Sequence, residues 1–365
     1  MRMTENLPPN DAAAPVRAVK KPSGRGPEPA RLGVVLVNYK RWSDTIECLE
    51  SVFRSTIPLR VIVVDNGSGD GSLDRIAEWA DGTREAAPLK ADMARFSQPA
   101  LPKPIPYRRI STDALGAAGG ASDVLLTLVD SGGNLGFAAG NNIGLRLFLT
   151  DPRIEFFWLL NNDTVIEATA AAALVTRMSA THKIGMCGTV VRFYHTPDMI
   201  QVLGGSRFSL LTGQGKGIGA RQPAAMAFDP AKVTAEIDFV LGASLATSRA
   251  FLEVVGPMDE SFFLYFEEIE WAKRSEGRFS IGFAHGATVY HKEGGSIGSS
   301  GVPGKRSESS EYWLTRSRLT FVRRYAPILL PWHWLFTLIL VARRVLRGHL
   351  RKAGVILRAL FGMNY

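Results

Sequence analysis

The sequence contains few cysteines, and their positions exclude two common classes of protein. Of its 365 residues only two are cysteine, Cys48 and Cys187. Neither has a neighbouring Cys or a paired His at metal-binding spacing, so neither a disulfide scaffold nor a zinc finger is expected. We interpret both as buried thiols of a protein in a reducing compartment.

Acidic residues are absent from the C-terminal part of the chain. No Asp or Glu follows Glu311, whereas ten Lys or Arg do, in a chain with a formal net charge of +9. Such one-sided basic charge predicts an anionic partner, most simply a membrane surface. Nucleic acid is the competing partner. We expect none, because the sequence has no zinc-finger spacing and no helix-turn-helix pattern.

The N-terminal segment lacks an apolar core and any periodicity. Residues 1–30 are rich in Pro, Ala, Lys and Arg, so a signal peptide is not expected and a disordered tail is predicted. Residues 31–310 carry the pattern of a folded domain. Within it, the Pro-, Ala- and Gly-rich residues 83–122 are predicted to be an insertion.

Short apolar runs alternate with helical patterns in this domain. Buried strands are predicted at 32–38 and 59–64, with a helix at 43–53 between them and Ser43 as its N-cap. This spacing is that of a βαβ unit, which implies a parallel sheet with a right-handed crossover. Further strands are predicted at 124–129, 156–160, 184–193 and 239–247. The predicted fold class is therefore α/β with a mostly parallel central sheet.

The stretch FFWLLNNDT at 156–164 is the most informative part of the pattern. Five large apolar residues precede Asn161, Asn162 and Asp163, which places these three at the carboxyl end of a buried strand. Open α/β sheets bind their ligands at that edge. Oxygen ligands in an N-x-D arrangement suit a hard divalent cation, which in turn suits a diphosphate. The alternative is a strand that simply ends in an Asn/Asp turn.

Two glycine-rich stretches differ in the pattern on their C-terminal side. The Gly/Asn turn at 134–144 opens a helix, and a helix N-terminus favours anionic oxygens. The glycines at 204–220 include a Gly-Lys-Gly sequence, but no helical pattern comes after them. They are predicted to form a loop or hairpin and not a nucleotide site.

An acidic helix is predicted after an aromatic cluster at 262–266. Glu267, Glu270 and Arg274 share one face of this helix. Carboxylates beside apolar surface have raised pKa values, which is the property that a general base requires. The alternative is a solvated charged face. His291 ends a further strand, and a lone histidine there is more often structural than a metal ligand.

The C-terminal residues 311–365 are predicted to form a helical, membrane-associating region. A basic helix at 309–325 ends at Pro327, and the apolar run 328–341 comes next. Pro331 and His333 interrupt this run, which is short for a spanning helix. Residues 342–360 alternate basic and apolar residues at helical spacing. We interpret the segment as interfacial, with aromatic anchors; a docking helix for a partner subunit is the alternative.

Seven stretches together resemble a known enzyme family. They are VLVNYKRWSDTIECLESV, VVDNGSGDGS, NLGFAAGNNIG, FFWLLNNDT, FVLGASL, GPMDESFFLYFEEIEW and VYHKEGGS. Their order resembles that of the inverting family 2 glycosyltransferases, in particular the rhamnosyltransferase-like branch. The resemblance covers about residues 31–325 and implies a GT-A fold, a nucleotide-sugar donor and a divalent cation, Mg²⁺ or Mn²⁺. The Q-x-x-R-W motif of processive synthases is absent, which implies addition of one sugar at a time.

The resemblance also implies roles for individual residues. For the donor it implies contacts from Asn38, Asp65, Asn134, Gly136, Asn142, Asn161, Asn162 and Arg316. For the metal it implies Asp163 and His291, and for the catalytic base Glu268, with Glu267 as the alternative. For the acceptor side it implies Gly242, Ala243, Ser244 and Asp259, of which Asp259 could equally be a loop cap.

The implied activity is that of a metal-dependent hexosyltransferase with inversion. It would move one sugar, rhamnose in the branch named above, from a dTDP-, UDP- or GDP-linked donor to a glycan or a polyprenyl-diphosphate-linked glycan in cell-surface polysaccharide assembly. The basic tail would hold it peripherally at the cytoplasmic face of the cell membrane. A sugar nucleotidyltransferase is one alternative, although NYKRWSD is not its Gly-rich loop. A non-catalytic scaffold with the same fold is the other.

Overall fold

The computed structural model describes residues 31–114, 123–293 and 306–365. The predicted disordered tail at 1–30 lies outside the described residues. So do residues 115–122 of the predicted insertion and residues 294–305, which come after the strand that ends at His291.

Helices and strands alternate through most of the described chain. The strands are β1 (Leu32–Asn38), β2 (Leu59–Asp65), β3 (Tyr107–Ser111), β4 (Leu126–Asp130), β5 (Phe156–Asn161), β6 (Thr164–Ile166), β7 (Ile184–Phe193), β8 (Ile200–Leu203), β9 (Gly205–Ser209), β10 (Gln214–Gly217), β11 (Phe239–Val240), β12 (Ser244–Ser248) and β13 (Ser280–His291). The helices are α1 (Trp42–Val52), α2 (Ser72–Asp81), α3 (Gly136–Leu149), α4 (Ala170–Ser179), α5 (Pro230–Ala235), α6 (Arg249–Val255), α7 (Glu267–Ser275), α8 (Glu308–Tyr325), α9 (Leu330–Leu346) and α10 (Leu350–Leu360).

A central sheet of ten strands organises the domain. Its order is β3-β4-β2-β1-β5-β12-β7-β13-β6, with β8 paired to β7. The five strands from β3 to β5 run parallel, and β12 is antiparallel to both of its neighbours. The predicted α/β class with a mostly parallel sheet is confirmed. The functional consequence is that β1, β2, β4 and β5 end at one common edge.

The apolar runs form strands because both faces of the sheet are covered. Val34 and Leu36 of β1 belong to one buried cluster, with α1, α2 and α4, whereas Val35 belongs to the other, with α3, α6 and α7. Alternate side chains of a strand point to opposite faces, so a strand covered on both faces needs a continuous apolar run.

The prediction of an insertion at 83–122 is wrong for the described part of that stretch. Tyr107–Ser111 is strand β3 at the edge of the central sheet, paired in parallel with β4. Residues 91–96 form a 3₁₀ helix whose Met93 and Phe96 are buried beside Tyr290. The strand could not be predicted from an apolar run, because β3 carries two arginines among its five residues. An edge strand is only partly covered by the rest of the protein and therefore does not need such a run.

Two smaller predictions have different outcomes. The expected hairpin at 204–220 is confirmed, since β9 and β10 pair antiparallel and join β11 in a separate three-stranded sheet. The N-cap prediction is wrong, because α1 begins at Trp42 and Ser43 lies inside it.

The C-terminal helices pack against the domain through a few polar contacts. In α9, His333 Nε2 donates to the Leu210 carbonyl at 2.9 Å, and Arg318 of α8 donates to Thr337 Oγ1 at 2.6 Å. Pro331 and His333, which interrupt the apolar run in the sequence, both lie within the continuous helix α9. Pro331 occupies the first turn, where no backbone N–H is needed, and His333 is buried.

Helix α9 and the turn before it form one long apolar segment. Residues Pro327–Leu346 span 20 residues with a mean hydropathy of 1.4, and 11% of the segment is buried. By length and composition it could cross a membrane, which corrects the expectation that it is too short. The same measures are compatible with a helix that lies on the membrane surface.

Candidate active site

A cavity of about 570 Å³ opens at the carboxyl edge of the central sheet. Its walls come from the residues after β1, β2, β4, β5 and β13, from the loop before α7 and from the start of α8. The residues that line it are Val37, Tyr39, Asn66, Asn134, Gly136, Phe137, Asn161, Asn162, Asp163, Phe263, Leu264, His291, Ser307, Glu308, Ser309, Trp313 and Tyr365. This is the edge at which open α/β sheets bind ligands.

Asp163 and His291 meet on the floor of this cavity. Strand β6 pairs with β13 so that Thr164 lies opposite His291, and this register brings Asp163 Oδ1 to 3.2 Å from His291 Nε2. The other ring nitrogen, Nδ1, lies 3.0 Å from Gln201 Oε1. That amide oxygen accepts a hydrogen bond from a protonated Nδ1, which leaves Nε2 available as a ligand.

The two groups shift each other's pKa. Burial by itself raises the pKa of Asp163, but His291, Lys292 and Arg41 together outweigh it and the pKa is lowered. Burial lowers the pKa of His291, yet the Asp163 carboxylate more than offsets this and the pKa is raised. The carboxylate is therefore ionised at neutral pH, as a metal ligand must be.

The donor set suits a divalent cation that is shared with a phosphate ligand. No group of three or more His, Cys, Asp or Glu side chains converges within the described parts of the chain. A carboxylate and an imidazole do converge here, beside the amide of Asn161. Mg²⁺ commonly uses one or two carboxylates and completes its shell with substrate phosphates and water. Asp163 and His291 fit that arrangement.

A buried cluster of charged side chains holds Asp163 and His291 in position. This cluster was not predicted from the sequence. Lys292 Nζ lies 2.6 Å from Asp44 Oδ1 and 2.5 Å from Glu47 Oε2, both on α1. Its backbone N–H donates to the Asp163 carbonyl at 3.0 Å. Lys292 comes directly after His291, so one residue links α1 to both members of the pair.

Asn38 and Asp65 do not line the cavity, contrary to their expected contact with the donor. The Asn38 side chain has no exposed surface, donates to Asp65 Oδ1 at 2.6 Å and accepts from Asn162 Nδ2 at 3.2 Å. Asp65 also accepts from the backbone N–H of Ser68 at 3.2 Å. Their hydrogen-bonding groups are engaged within the protein. They therefore hold the ends of β1, β2 and β5 together, and their contact with a donor stays a prediction.

The turn before α3 supplies two cavity residues and one structural residue. Asn134 and Gly136 line the cavity, and Asn134 Oδ1 accepts from the Gly136 N–H at 3.2 Å. Asn142 is fully buried and spans to the Met258 backbone at 2.9 Å and 3.1 Å. The expected donor contact for Asn142 is therefore wrong. Its amide instead holds the loop that precedes α7.

Gly136 should tolerate no side chain. Its φ is +85°, and a Cβ there would lie 2.4 Å from the Phe263 carbonyl oxygen. We expect Gly136→Ala to lower the free energy of unfolding by about 1–3 kcal/mol, measured by urea denaturation. Gly133→Ala is the matched control, because a Cβ at Gly133 meets nothing within 4 Å. Equal losses in both variants would contradict the argument.

Glu267 and Glu268 begin α7 after a strained turn. Tyr265 and Phe266 have φ values of +64° and +72°, a conformation that non-glycine residues rarely adopt. Helix α8 holds this turn in place, because Ser317 Oγ donates to the Leu264 carbonyl at 2.8 Å. Strain of this kind persists only where the surrounding structure enforces it.

Both glutamates have raised pKa values. Burial raises the pKa of Glu268 to about 7, although the backbone N–H groups of Glu268 and Gly242 oppose the shift. Burial and then the charge of Glu268 raise the pKa of Glu267 well above its ordinary value. One carboxylate oxygen of each is buried with no hydrogen-bond partner among the described residues. The pair can therefore hold or accept a proton near neutral pH.

Glu268 lies beside the cavity wall and not among its lining residues. A Cβ at Gly242 would lie 3.3 Å from Glu268 Oε1 and 3.6 Å from the ring of Phe137, which does line the cavity. The next residue, Ala243, accepts a hydrogen bond from the Asn161 N–H at 3.0 Å. Both carboxylates are therefore connected to the end of β5: Glu268 through the Gly242–Ala243 segment, and Asp163 because it follows Asn161 in the chain.

Three further expected site residues, Ser244, Asp259 and Arg316, are not among the residues that line the cavity. Ser244 is buried inside the sheet and bonds Trp158 Nε1 at 3.0 Å, so an acceptor contact is wrong for it. Asp259 caps its own loop by accepting from the Ser261 N–H at 2.9 Å and pairs with Arg324, which favours the loop-cap alternative. Arg316 is not among the lining residues; it lies on α8 beside Gly362, one turn after the lining residue Trp313.

Aromatic side chains form another part of the cavity lining, together with Asp163 and His291. No specific pattern in the sequence predicted this aromatic wall. Phe263 and Trp313 stack with ring centroids 4.3 Å apart. Tyr312 contacts Trp313 at 4.9 Å and Tyr365 at 5.2 Å. The wall joins the loop before α7 to the C-terminal residues. Aromatic faces are common contact surfaces in ligand sites.

Comparison with known proteins gives one family match and one curated relative. Residues 33–90 match the model described as Glycosyl transferase family 2. A stretch of 154 residues is 27% identical to the low-salt glycan biosynthesis hexosyltransferase Agl10 of Haloferax volcanii, covering 40% of this chain and 45% of that protein. The chain thus spans less than half the length of that relative.

Solved structures resemble the chain loosely. The mannosyltransferase PcManGT of Pyrobaculum calidifontis, in complex with GDP-Man and Mn²⁺, superposes with a TM-score of 0.46 at 15% identity over 95% of this chain and 80% of that one. S. aureus TarS 1–349 with UDP-GlcNAc gives a TM-score of 0.41 at 12% identity over 80% and 66%. Neither superposition carries the fold assignment. The family match over β1 to α2, together with the observed strand order, supports the GT-A fold expected from the sequence.

Proposed function

We propose that this chain is an inverting glycosyltransferase that moves one sugar from a nucleotide-diphosphate donor to a glycan or lipid-linked glycan. The observation that carries the proposal is that a possible cation site and a possible catalytic base both lie at the end of β5. Asp163 and His291 form a cation-type pair on the cavity floor, and the buried carboxylate of Glu268 lies beside the Gly242 wall. The family match at residues 33–90 supports the same reaction class.

On the donor side, Asp163 and His291 lie where the diphosphate end of the donor would be held through a cation. They are the residues that would bind a divalent cation, Mg²⁺ or Mn²⁺, which when bound stabilises negative charge on the leaving diphosphate. Asn134 and the Gly136 turn form the wall beside them. In this proposal the nucleoside occupies the part of the cavity that Val37, Tyr39 and Asn66 line.

On the acceptor side, Glu268 accepts the proton of the attacking hydroxyl group. The acceptor oxygen forms a bond to the anomeric carbon while the bond from that carbon to the diphosphate oxygen breaks, and the proton moves to the Glu268 carboxylate. The displacement is in line, so the anomeric configuration inverts. Its raised pKa makes Glu268 basic enough for this role, while about half of it is ionised near pH 7.

The test is a donor panel with the purified full chain. Release of nucleoside diphosphate from dTDP-, UDP- and GDP-sugars, dTDP-rhamnose included, is measured with and without EDTA. Release that depends on an acceptor and on Mg²⁺ or Mn²⁺ supports the proposal. Release of pyrophosphate from a nucleoside triphosphate and a sugar phosphate would identify a nucleotidyltransferase. No turnover and no nucleotide binding with any donor would identify a scaffold.

The basic C-terminal region supports a peripheral location at the cytoplasmic face of a membrane. Three basic side chains are exposed here: Arg343 in the last turn of α9, Arg347 directly after α9 and Arg351 on α10. Each basic side chain near an anionic surface contributes about 1 kcal/mol, so the triple change to Gln should weaken binding to phosphatidylglycerol vesicles by roughly 100-fold.

Vesicle flotation of the intact chain measures this effect. The matched control changes three exposed basic residues at the opposite, amino edge of the strands and on α7, namely Lys183, Lys273 and Arg278, to Gln. If the control loses as much binding as the tail variant, the attraction comes from net charge alone and the C-terminal region has no special part in it.

A further inference from the structure

An exposed apolar surface on α9 continues to the wall of the cavity. Large apolar side chains remain exposed along this helix, among them Trp334, Leu335, Leu338 and Ile339. Trp334 contacts Phe361 of the C-terminal segment, with ring centroids 5.7 Å apart, and Phe361 is 62% exposed. An apolar surface of this extent on a folded domain marks an interaction site.

The C-terminal segment connects that surface to the cavity. Tyr312 donates from its hydroxyl to the Met363 carbonyl at 2.7 Å, which fixes the segment against α8. Tyr365 then lines the cavity. Within a few residues, from Phe361 to Tyr365, the chain passes from the exposed apolar surface to the reaction site.

Arg316 lies between the exposed apolar surface of α9 and the cavity. A Cβ at Gly362 would lie 2.8 Å from its Nη1 atom, so the guanidinium sits next to the residue that separates Phe361 from Met363. Among the described residues Arg316 has no hydrogen bond and no ion pair, unlike Arg318, Arg324 and Arg344 nearby. A half-buried guanidinium without a partner beside apolar surface is arranged to bind an anion.

We propose that this surface binds a lipid-linked acceptor, with Arg316 on the acceptor's diphosphate. The lipid chain lies along α9, the diphosphate meets Arg316, and the sugar enters the cavity at Trp313 and Tyr365. A lipid diphosphate sugar has these three parts in this order, and the chain after Glu311 contains ten basic residues and no acidic one. The inference rests on the proposed function, and it moves Arg316 from the donor's diphosphate to the acceptor's.

The test uses farnesyl diphosphate as the probe, with the full chain in detergent and binding followed by calorimetry. We expect Arg316→Gln to weaken farnesyl diphosphate binding by roughly tenfold or more, the effect of losing a charge-assisted hydrogen bond. Farnesol binding should not change. The matched control is Arg278→Gln, which removes an exposed charge at the amino edge of the strands and should leave farnesyl diphosphate binding within about twofold.

Three outcomes would overturn the proposal. If inorganic pyrophosphate competes at equal affinity, no lipid is recognised. If both variants weaken binding equally, the effect reduces to net charge. If Arg316→Gln instead loses affinity for the nucleoside diphosphates dTDP, UDP or GDP, Arg316 returns to the donor site. Binding of nucleoside diphosphate to the unaltered chain is measured in parallel, so that failure of the proposed function is recognised separately.

Discussion

Replacing Glu268 with Gln should abolish sugar transfer while leaving the protein folded and able to bind its donor. A positioned general base contributes roughly 10²–10⁴-fold to rate, and we expect a loss near 10³-fold in kcat. Gln keeps the shape of the side chain and the carbonyl that accepts from Gly242, but it cannot take a proton. Acceptor-dependent nucleotide release measures the rate, and titration with nucleoside diphosphate measures donor binding.

Glu267→Gln is the matched control for this prediction. Glu267 is the adjacent carboxylate with the more strongly buried side chain, but the hydrogen bond to Gly242 and the contact with the cavity wall belong to Glu268. We expect Glu267→Gln to retain at least about a tenth of the activity, well inside the loss expected for a base. If Glu267→Gln is the inactive variant and Glu268→Gln is not, the two roles must be exchanged.

The pH dependence of the same variants gives an independent check. Because the base must be ionised, kcat/KM should rise with pH through about 7, the raised pKa of Glu268, and this limb should be lost in the Gln variant. The folded state favours the protonated form, so ionisation removes stability as pH rises from the unfolded value toward and beyond 7. Glu268→Gln should therefore melt higher than the unaltered chain at pH 8 and equally at pH 4.

Asp163→Asn should cause the second large loss. Asn keeps the size of the side chain but removes the charge that holds a cation and that raises the pKa of His291. Loss of Lewis-acid stabilisation is a matter of several kcal/mol, so transfer should fall by roughly 10³-fold. Added Mn²⁺ should not restore it, and EDTA should no longer change the affinity for nucleoside diphosphate. Transfer and calorimetric titration measure both effects.

Asp74→Asn provides the matched control for the loss of a negative charge. Asp74 is exposed on α2 and pairs with Arg109 at 2.7 Å, away from the cavity-lining residues. We expect its rate to stay within about twofold, since exposed ion pairs contribute little. An Asp163→Asn variant that keeps metal-dependent transfer would remove the cation-type pair from the mechanism.

The sequence was most informative where a strand is covered on both faces. The continuous apolar run FFWLL predicts strand β5 and locates Asn161–Asp163 at its end. The half-covered strand β3 carries no such signal, and its composition predicts an insertion instead. The acidic helix is readable because carboxylates come directly after a run of aromatics, a combination that a solvated helix rarely shows.

The sequence was least informative about which polar side chains face the cavity. Asn38, Asn142 and Ser244 are all expected at the ligand, yet each is buried and hydrogen-bonded within the protein. Asn and Ser side chains can bind a ligand or can join two segments of the protein by hydrogen bonds, and the residue type alone does not distinguish these roles. The choice depends on the direction of the side chain and on partners distant in the sequence, such as Met258 for Asn142.

By itself the sequence determined the alternation of strands and helices, the edge of the sheet at which the cavity opens and the residue types found at that edge, because these depend on local periodicity and local order. Only the tertiary structure decided that His291 reaches Asp163, that Lys292 joins both to α1 and that Tyr365 meets the cavity. Each of these depends on strand register or helix packing between segments far apart in the chain. Strand register and helix packing are determined by burying whole apolar faces of helices and sheets. The residue types at the individual contacting positions therefore do not reveal which residues come together.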